Sequence, residues 1–352
     1  MGLARCAQRI FSVVFGPLSR GVSSTWRKAG RGLAVMWGSF TLVFLVFTAV
    51  PDPARQLAGQ QADPEVIADL RAQFGLDQPP MTRYFKALGA LAPVGPRSDG
   101  QWGLRWPSLG MSYVQPASVT ALLWKALPAT FLLALVALAL AVALGIPMGL
   151  MAARRPGGWF DRLVVGGSVV GMSAPSFFAA ILIGYVCAVR WGSWTGLPLT
   201  GSLWDLDAEG RTVLSLRNLV LPAITLGIRP LAVLAQLMRG AALDALAAPH
   251  VQTARAFGAS AREVMRHHVL RNALNPVITA ASGWLAQLLA GAVFVEFVFG
   301  WRGLGFLLFE ALEQQDLPVV MGGVLVVSFI FILVNALADA AYRMLDPRAA
   351  QA

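Results

Sequence analysis

"HVQTARAFGASAREVMRHHVLRNALNP" occupies residues 250–276 and holds all three histidines of a 352-residue chain. It is polar and basic, yet it lies between two apolar segments, Leu219–Met238 and Val277–Phe299. A hydrophilic block framed in this way is a loop at a membrane face, and the composition agrees. Hydrophobic residues make up 57% of the chain, charged residues only 13%, and the mean hydropathy is +0.63. A soluble domain is usually about 25% charged, so the class is integral membrane protein. The net charge of +10 is read as Lys and Arg enrichment of cytoplasmic loops rather than as a nucleic-acid surface.

A spanning helix needs about 20 mostly apolar residues. Six segments qualify: Leu33–Val50, Leu127–Ala152, Leu163–Val189, Leu219–Met238, Val277–Phe299 and Val319–Tyr342. Pro147, Pro175, Pro222 and Pro230 interrupt them, which membrane helices tolerate when neighbours re-satisfy the freed carbonyl. One set of loops carries Arg154, Arg155, Arg162, Arg239, Arg255, Arg262, Arg266 and Arg271, together with the basic residues before Leu33. The opposite short loops hold only Arg190, Arg211, Arg217 and Arg302. The positive-inside rule therefore puts both termini, and the 250–276 block, in the cytoplasm.

The chain divides into a basic leader (1–32), a retained first helix (33–50), an outer loop (51–126), a five-helix core (127–345) containing the polar loop 240–276, and a short tail (346–352). The leader has no apolar run ahead of a small-residue cleavage site, so it is not read as a signal peptide. Within the outer loop, Asp63-Pro64-Glu65 is a helix start. Val66, Ile67, Leu70 and Phe74 then share a face, and Gly75 ends the helix. A second helix is expected after Pro80 with Tyr84, Phe85 and Leu88 inward, followed by irregular chain from Leu91 to Gln115. The loop is a small external cap.

Several chemistries are missing. No G-x-x-x-x-G-K-[ST], H-E-x-x-H or G-x-S-x-G occurs, so the chain carries no ATP-binding phosphate loop and no catalytic motif of those kinds. Cys6 and Cys187 stand in no redox or metal spacing. His267 and His268 are adjacent and diverge by roughly 100° on a helix. Glu263 is placed to pair with His267, but further metal ligands are lacking, so no metal is expected.

The polar block has a definite local shape. Val251 to Phe257, including Thr253, Ala254, Arg255 and Ala256, is helix-compatible, and His250 stands just before it. Gly258 then turns the chain at low steric cost. Ser260 and Glu263 form a capping box that opens a second helix from Ala261 toward Asn275, with Pro276 at the entry to the next span. Physics alone leaves two readings: an amphipathic linker resting on anionic headgroups, or a rigid knob that docks a cytoplasmic protein.

Thr253-Ala254-Arg255-Ala256-x-Gly258-x-Ser260, followed by His268-x-x-Arg271-Asn272-Ala273-Leu274-x-Pro276, resembles the coupling loop of ABC importer permeases, specifically the dipeptide, oligopeptide and nickel branch. Further matches run along the chain. Asp52-Pro53-Ala54, Leu76-Asp77-Gln78-Pro79 and Leu109-Gly110-x-Ser112-Tyr113 are similar to that branch's outer loop. Leu127-Pro128-Ala129-Thr130, Gly145-Ile146-Pro147-x-Gly149, Ser173-x-Pro175-Ser176-Phe177 and Leu221-Pro222-Ala223 resemble its spans. Val295-Glu296, Phe299, Gly303-Leu304-Gly305, and the terminal Asn335, Asp339, Tyr342 and Asp346-Pro347-Arg348 complete the likeness. The departures are His250 for a usual Tyr, Phe257 for Lys, Ala248-Pro249 for a preceding acid, Gln236 for Arg, and Arg302 for Pro.

The resemblance implies an all-α integral membrane protein with six transmembrane helices and the type I importer permease (MetI-like) fold. It implies a multi-pass subunit of the bacterial cytoplasmic membrane that binds no cofactor itself. It also implies partners: a second homologous permease, two cytoplasmic ABC ATPases that bind ATP and Mg, and an extracytoplasmic solute-binding protein. The chain would be the first permease of the heterologous pair, importing di- or oligopeptides, with nickel, glutathione or opine-like solutes as the alternative. Arg229, next to Pro230 in mid-span, is expected either to line a path with Pro175 and Ser176 and attract a substrate carboxylate, or to pair with a companion subunit. A buried intramembrane charge costs at least about 2.5–3.5 kcal/mol on insertion scales, so it needs a reason. Glu296, Gly303 and Gly305 are expected near the outer surface, shaping a gate or simply a tight turn. Asp339 is read as a structural hydrogen-bond partner. An ion-coupled transporter would require intramembrane acids, which the second and third segments lack, and a membrane enzyme would require a catalytic cluster.

Overall fold

The computed structural model describes residues 24–49, 53–59, 63–96, 102–104, 106–206 and 209–345. Most of the basic leader, the terminal Asp-Pro-Arg and the side chains of Asp339 and Tyr342 lie outside the described residues. The described chain is helical apart from two short hairpins. In order it comprises α1 (Ser24–Thr48), α2 (Pro53–Ala58), α3 (Pro64–Phe74), α4 (Pro80–Leu91), β1 (Val94–Pro96), β2 (Trp102–Leu104), α5 (Val119–Arg154), α6 (Trp159–Ser173) and α7 (Ser176–Gly184). Then follow α8 (Gly192–Thr195), β3 (Trp204–Leu206), β4 (Thr212–Leu214), α9 (Arg217–Ala247), α10 (Pro249–Ala256), α11 (Ala261–Glu263), α12 (Leu270–Gly291), α13 (Val293–Val298), α14 (Leu304–Glu313) and α15 (Leu317–Leu345). Wide π-helical turns extend α7 through Tyr185–Arg190 and join α11 to α12 through Val264–Val269.

Among the described residues, four stretches are long and apolar enough to cross a membrane: Gly30–Thr48, Val119–Arg154, Arg217–Ala247 and Leu317–Ala338. The six expected segments are all helical, but two are not simple spans. Leu163–Val189 is broken at Ala174-Pro175, where α6 and α7 meet at 110°. Pro175 has no N–H to give, and it pushes the preceding residue out of the helical region; Ala174 has φ −68° and ψ 127°. Val277–Phe299 is split at Ala292, between α12 and α13. Its helix starts back in the polar loop and runs through Pro276, so that proline does not mark an entry. The second span begins at Val119 instead of Leu127, because Ser118 caps it by accepting the Ala121 N–H at 3.3 Å. At 36 residues α5 is about 54 Å long, enough to protrude from a hydrocarbon core of about 30 Å.

The central pairing is α5 against α9. Lipid offers no hydrophobic drive between helices, so close backbone approach through small residues replaces it. Ala134, Ala137 and Ala141 are wholly buried on α5, as are Ala223 and Ala235 on α9. A Cβ on Gly145 would lie 3.1 Å from the Leu231 carbonyl, and one on Gly227 would lie 2.9 Å from the Ala137 carbonyl. Around this seam the outer half of the core gathers Leu133, Leu221, Phe299 and Trp301, and the inner half gathers Leu234, Met238, Val251 and Val264.

The cap sits on the outer ends of α1 and α15. Tyr84 of α4 lies between Phe40 and Phe44 of α1, with ring centroids at 5.9 and 5.3 Å, and its hydroxyl is 2.8 Å from that of Thr41. Leu88 packs there too, but Phe85, expected inward, is exposed. The expected face of α3 has no buried residue, although Pro64 begins the helix and Gly75 ends it in the left-handed conformation. The expected irregular stretch contains the antiparallel β1–β2 hairpin, with Val94 opposite Leu104. A buried acid fastens the cap to α15. Asp316 accepts the Ser112 hydroxyl, the Tyr113 N–H at 3.2 Å and the Val319 N–H at 3.5 Å.

The seam gives a direct test. A Cβ on Gly149 would lie 2.7 Å from the Met238 Cβ and 2.9 Å from the Arg239 nitrogen, whereas Gly240 has nothing within 4 Å. Gly149→Val is expected to destabilise the detergent-solubilised protein by about 1–3 kcal/mol or prevent its accumulation, and Gly240→Ala to leave its melting temperature unchanged.

Candidate functional site

At its C-terminal end α9 passes through the short kink at Ala248 into α10, which carries the residues singled out in the 250–276 block. The helix starts at Pro249, two residues earlier than Val251, since Pro is favoured in the first turn. Thr253 donates its hydroxyl to the Pro249 carbonyl at 3.0 Å. One side chain anchors the helix: Val251 is fully buried among Leu234, Met238, Val264, Val269 and Val277. Ala254 is half-buried, while His250, Thr253, Arg255 and Ala256 face outward. Phe257 ends the helix with 88% of its surface exposed. Gly258 then takes φ +87°, a conformation that a Cβ disfavours.

Ser260 caps the next helix by accepting the Glu263 N–H at 3.3 Å. Only this half of the expected capping box is formed. Glu263 makes no ion pair with His267 among the described residues, and no group of three His, Cys or carboxylate residues with metal-site geometry occurs among them. Asn272 instead bridges the two arms, donating to the His268 carbonyl at 2.8 Å and lying 3.2 Å from the His250 ring nitrogen. The result is a small rigid bracket, anchored by Val251 and presenting Arg255 and Phe257.

A second element braces this bracket. Arg239, read from sequence only as a loop cation, makes a two-pronged pair with Asp161 at the start of α6, its Nη2 donating to Oδ2 at 2.9 Å. Asp161 also accepts the Gly157 N–H at 2.8 Å and is 3% exposed. The α6 entry is thus tied to α9 nearly three turns before α10 begins. An acid in the first helical turn after Gly157-Gly158 was the available signal, but only the fold pairs it with Arg239.

Deeper in the bundle a cavity of about 290 Å³ opens at the α6–α7 break. Ser176 and Arg229 line it together with Thr225, Trp284 and Gln287. Pro175 shapes the break but is not part of the wall. Arg229 is exposed, and no carboxylate pairs with it among the described residues. Arg229 thus contributes the one charged residue of the cavity lining among the described residues.

The residues expected near the outer surface, as a gate or a tight turn, form a buried turn. Glu296 is 0% exposed. Its Oε1 accepts the Thr130 hydroxyl at 2.6 Å, and its Oε2 accepts the Phe306 N–H at 3.0 Å. The Thr130 oxygen in turn accepts the Leu304 N–H at 2.7 Å. The carboxylate thereby holds the turn Gly303-Leu304-Gly305 against α5. Both glycines are needed for the approach: a Cβ on Gly305 would lie 2.5 Å from the Val293 Cα and 3.0 Å from Glu296 Oε2. Trp301 closes the site, donating its indole N–H to the Ala129 carbonyl at 3.1 Å. These residues form a strut, and their surfaces are closed to solute in this conformation. Removing a buried acceptor strands its donors at about 1–3 kcal/mol each. Glu296→Ala is therefore expected to lower thermal stability in detergent by several degrees, with Glu296→Gln recovering part of the loss; equal melting temperatures for all three would contradict the strut.

Comparison with known proteins fits this architecture. Residues 145–351 match the family model "Binding-protein-dependent transport system inner membrane component", and residues 27–134 match the model of its N-terminal membrane component. The dipeptide transport system permease protein DppB of Escherichia coli K12 is 34% identical over 343 residues, covering 92% of this chain and 97% of that protein. The protein of the same name from Alkalihalophilus pseudofirmus is 31% identical over 332 residues, covering 90% and 96%. A putative peptide transport system permease protein of Brucella abortus is 34% identical over 323 residues, covering 92% and 97%. Among solved structures, a chain of the MetNI methionine ABC transporter in an inward-facing form aligns with TM-score 0.51 at 20% identity, covering 64% of this chain and 97% of that one. The fold is that of an ABC importer permease, and the chain belongs to the family of binding-protein-dependent transport system inner membrane components.

Proposed function

We propose that this chain is the first permease of a heterologous pair that imports di- or oligopeptides across the cytoplasmic membrane, driven by ATPases bound at residues 250–276. The observation that carries the coupling assignment is the bracket itself. A short helix is fixed to the core through Val251 and offers an arginine and a largely exposed phenylalanine to the cytoplasm. Aromatic and Arg side chains on a rigid support are the usual anchors of a protein interface, whereas a linker resting on lipid needs no such rigidity. The peptide class rests on the relatives, which are named as dipeptide or peptide permeases. Nickel, glutathione or an opine-like solute would travel by the same mechanism.

In this reading ATP and Mg belong to the partner ATPases, a solute-binding protein delivers substrate at the cap side, and both termini are cytoplasmic. ATP-driven closure of the ATPases pushes α10, and the bracket passes the displacement to α9 and, through Arg239 and Asp161, to α6. The cavity bearing Arg229 and Ser176 lies at the α6–α7 break, where relative motion of those helices would change its width. There the guanidinium attracts a substrate carboxylate.

Two variants, one double and one single, separate the parts of this account. Phe257→Ala with Arg255→Glu is expected to cut co-purification of the ATPases at least tenfold while leaving the melting temperature of the permease unchanged, because both side chains are exposed. Retained ATPase binding would remove the docking assignment. Arg229→Ala is expected to lower peptide uptake at least tenfold in a complex that still assembles. A complex that falls apart while residual transport per assembled complex is normal would show that Arg229 is an assembly contact.

A further inference from the structure

A second cavity, of about 150 Å³, lies far from the coupling bracket, where the cap meets the outer ends of the first and last spans. Its lower wall is apolar: Phe40 and Phe44 of α1, and Leu317 and Met321 of α15, all otherwise buried. Its upper wall is polar and comes from the cap, with Arg83 of α4, Ser108 and Tyr113. The Arg83 guanidinium lies beside the Tyr113 hydroxyl, and burial pushes that phenol above its ordinary value, so it stays a neutral donor. Among the described residues Arg83 pairs with no carboxylate. Asp316, the acid that also bears on Tyr113, is already engaged by Ser112 and the Tyr113 and Val319 amides.

A guanidinium with no carboxylate partner among the described residues, and neutral hydroxyl groups beside it, set above an apolar slot, call for an amphiphile with an anionic head. Arg is well suited to phosphate, which it binds through two parallel N–H donors. The apolar wall belongs to two spans, so it continues into the hydrocarbon region. A soluble phosphate would leave that wall empty, and a neutral lipid would leave Arg83 unmatched. We propose that this cavity is a phospholipid site of the outer leaflet, with the headgroup phosphate on Arg83 and Tyr113 and the start of one acyl chain between α1 and α15. The lipid would cement the cap to the bundle at the point where α1 is held by aromatic contacts with Tyr84. This inference is independent of which solute is carried.

Native mass spectrometry of the assembled transporter, released from nanodiscs of phosphatidylglycerol, tests it. The wild type is expected to retain one more phospholipid than Arg83→Gln under matched activation, with occupancy falling at least fivefold in the variant. Ala87→Phe, which fills the slot from α4 and leaves Arg83 in place, is expected to lose the same lipid. It keeps the test decisive if Arg83→Gln fails to accumulate. Inorganic phosphate at millimolar concentration is expected not to displace the lipid. Equal retention in wild type and both variants would overturn the proposal. Displacement by phosphate would replace the lipid site with a simple anion site, and retention of diacylglycerol as strongly as phosphatidylglycerol would remove the role of Arg83.

Discussion

The structure depends on the close approach of α5 and α9. Inside a bilayer two apolar helices gain little by leaving lipid for each other, so they associate where their backbones can come close. Gly145, Gly149 and Gly227, with the buried alanines around them, supply that approach. Each end of the seam then holds a different device. At the outer end Thr130 of α5 and Glu296 hold the Gly303-Leu304-Gly305 turn. At the inner end α9 carries Arg239 to Asp161 and continues into the bracket anchored by Val251. A movement of α9 at one end is therefore felt by α6 and by the bracket together.

Polar groups are few in this bundle and nearly all are committed. Glu296, Asp161 and Asp316 are each buried, and each gathers two or more donors that would otherwise be stranded in a low-dielectric interior. Arg229 differs, since it lines a cavity and has no acid beside it among the described residues. That contrast gives it a transport role in our proposal, while the three acids serve architecture. In the same proposal α10 is a docking element, with its anchor Val251 buried and Arg255 and Phe257 presented outward.

Much of this was legible in the chain. The apolar runs located the helices, Gly258 and Ser260 located the turn and the cap of the 250–276 block, and Asp63-Pro64 located a cap helix. The break at Pro175 was visible as a proline, but its 110° angle was not, since a proline alone does not distinguish a kink from a reversal. The start of α5 was missed because Val119–Ala126 includes Lys125 and reads as loop by hydropathy, although Ser118 is a good cap. The burial of Glu296 was not legible, because an acid near the end of an apolar segment ordinarily meets solvent. Its donors come from Thr130 and Phe306, 166 and 10 residues away, and only folding brings them together. Asp161 and Arg239 are 78 residues apart, and single charges at loop edges carry no mark of their partner.

The central claim is that residues 249–257 are the contact through which ATPase movement enters the bundle. A photo-cross-linking amino acid placed at position 257 in the assembled transporter tests it most directly, with position 204 in the β3–β4 hairpin as the control site. The account predicts a cross-link from 257 to an ATPase subunit whose yield changes when ATP is bound, and none from 204 to that subunit. Cross-linking of position 257 only to lipid, with no ATPase adduct in any nucleotide state, would contradict it.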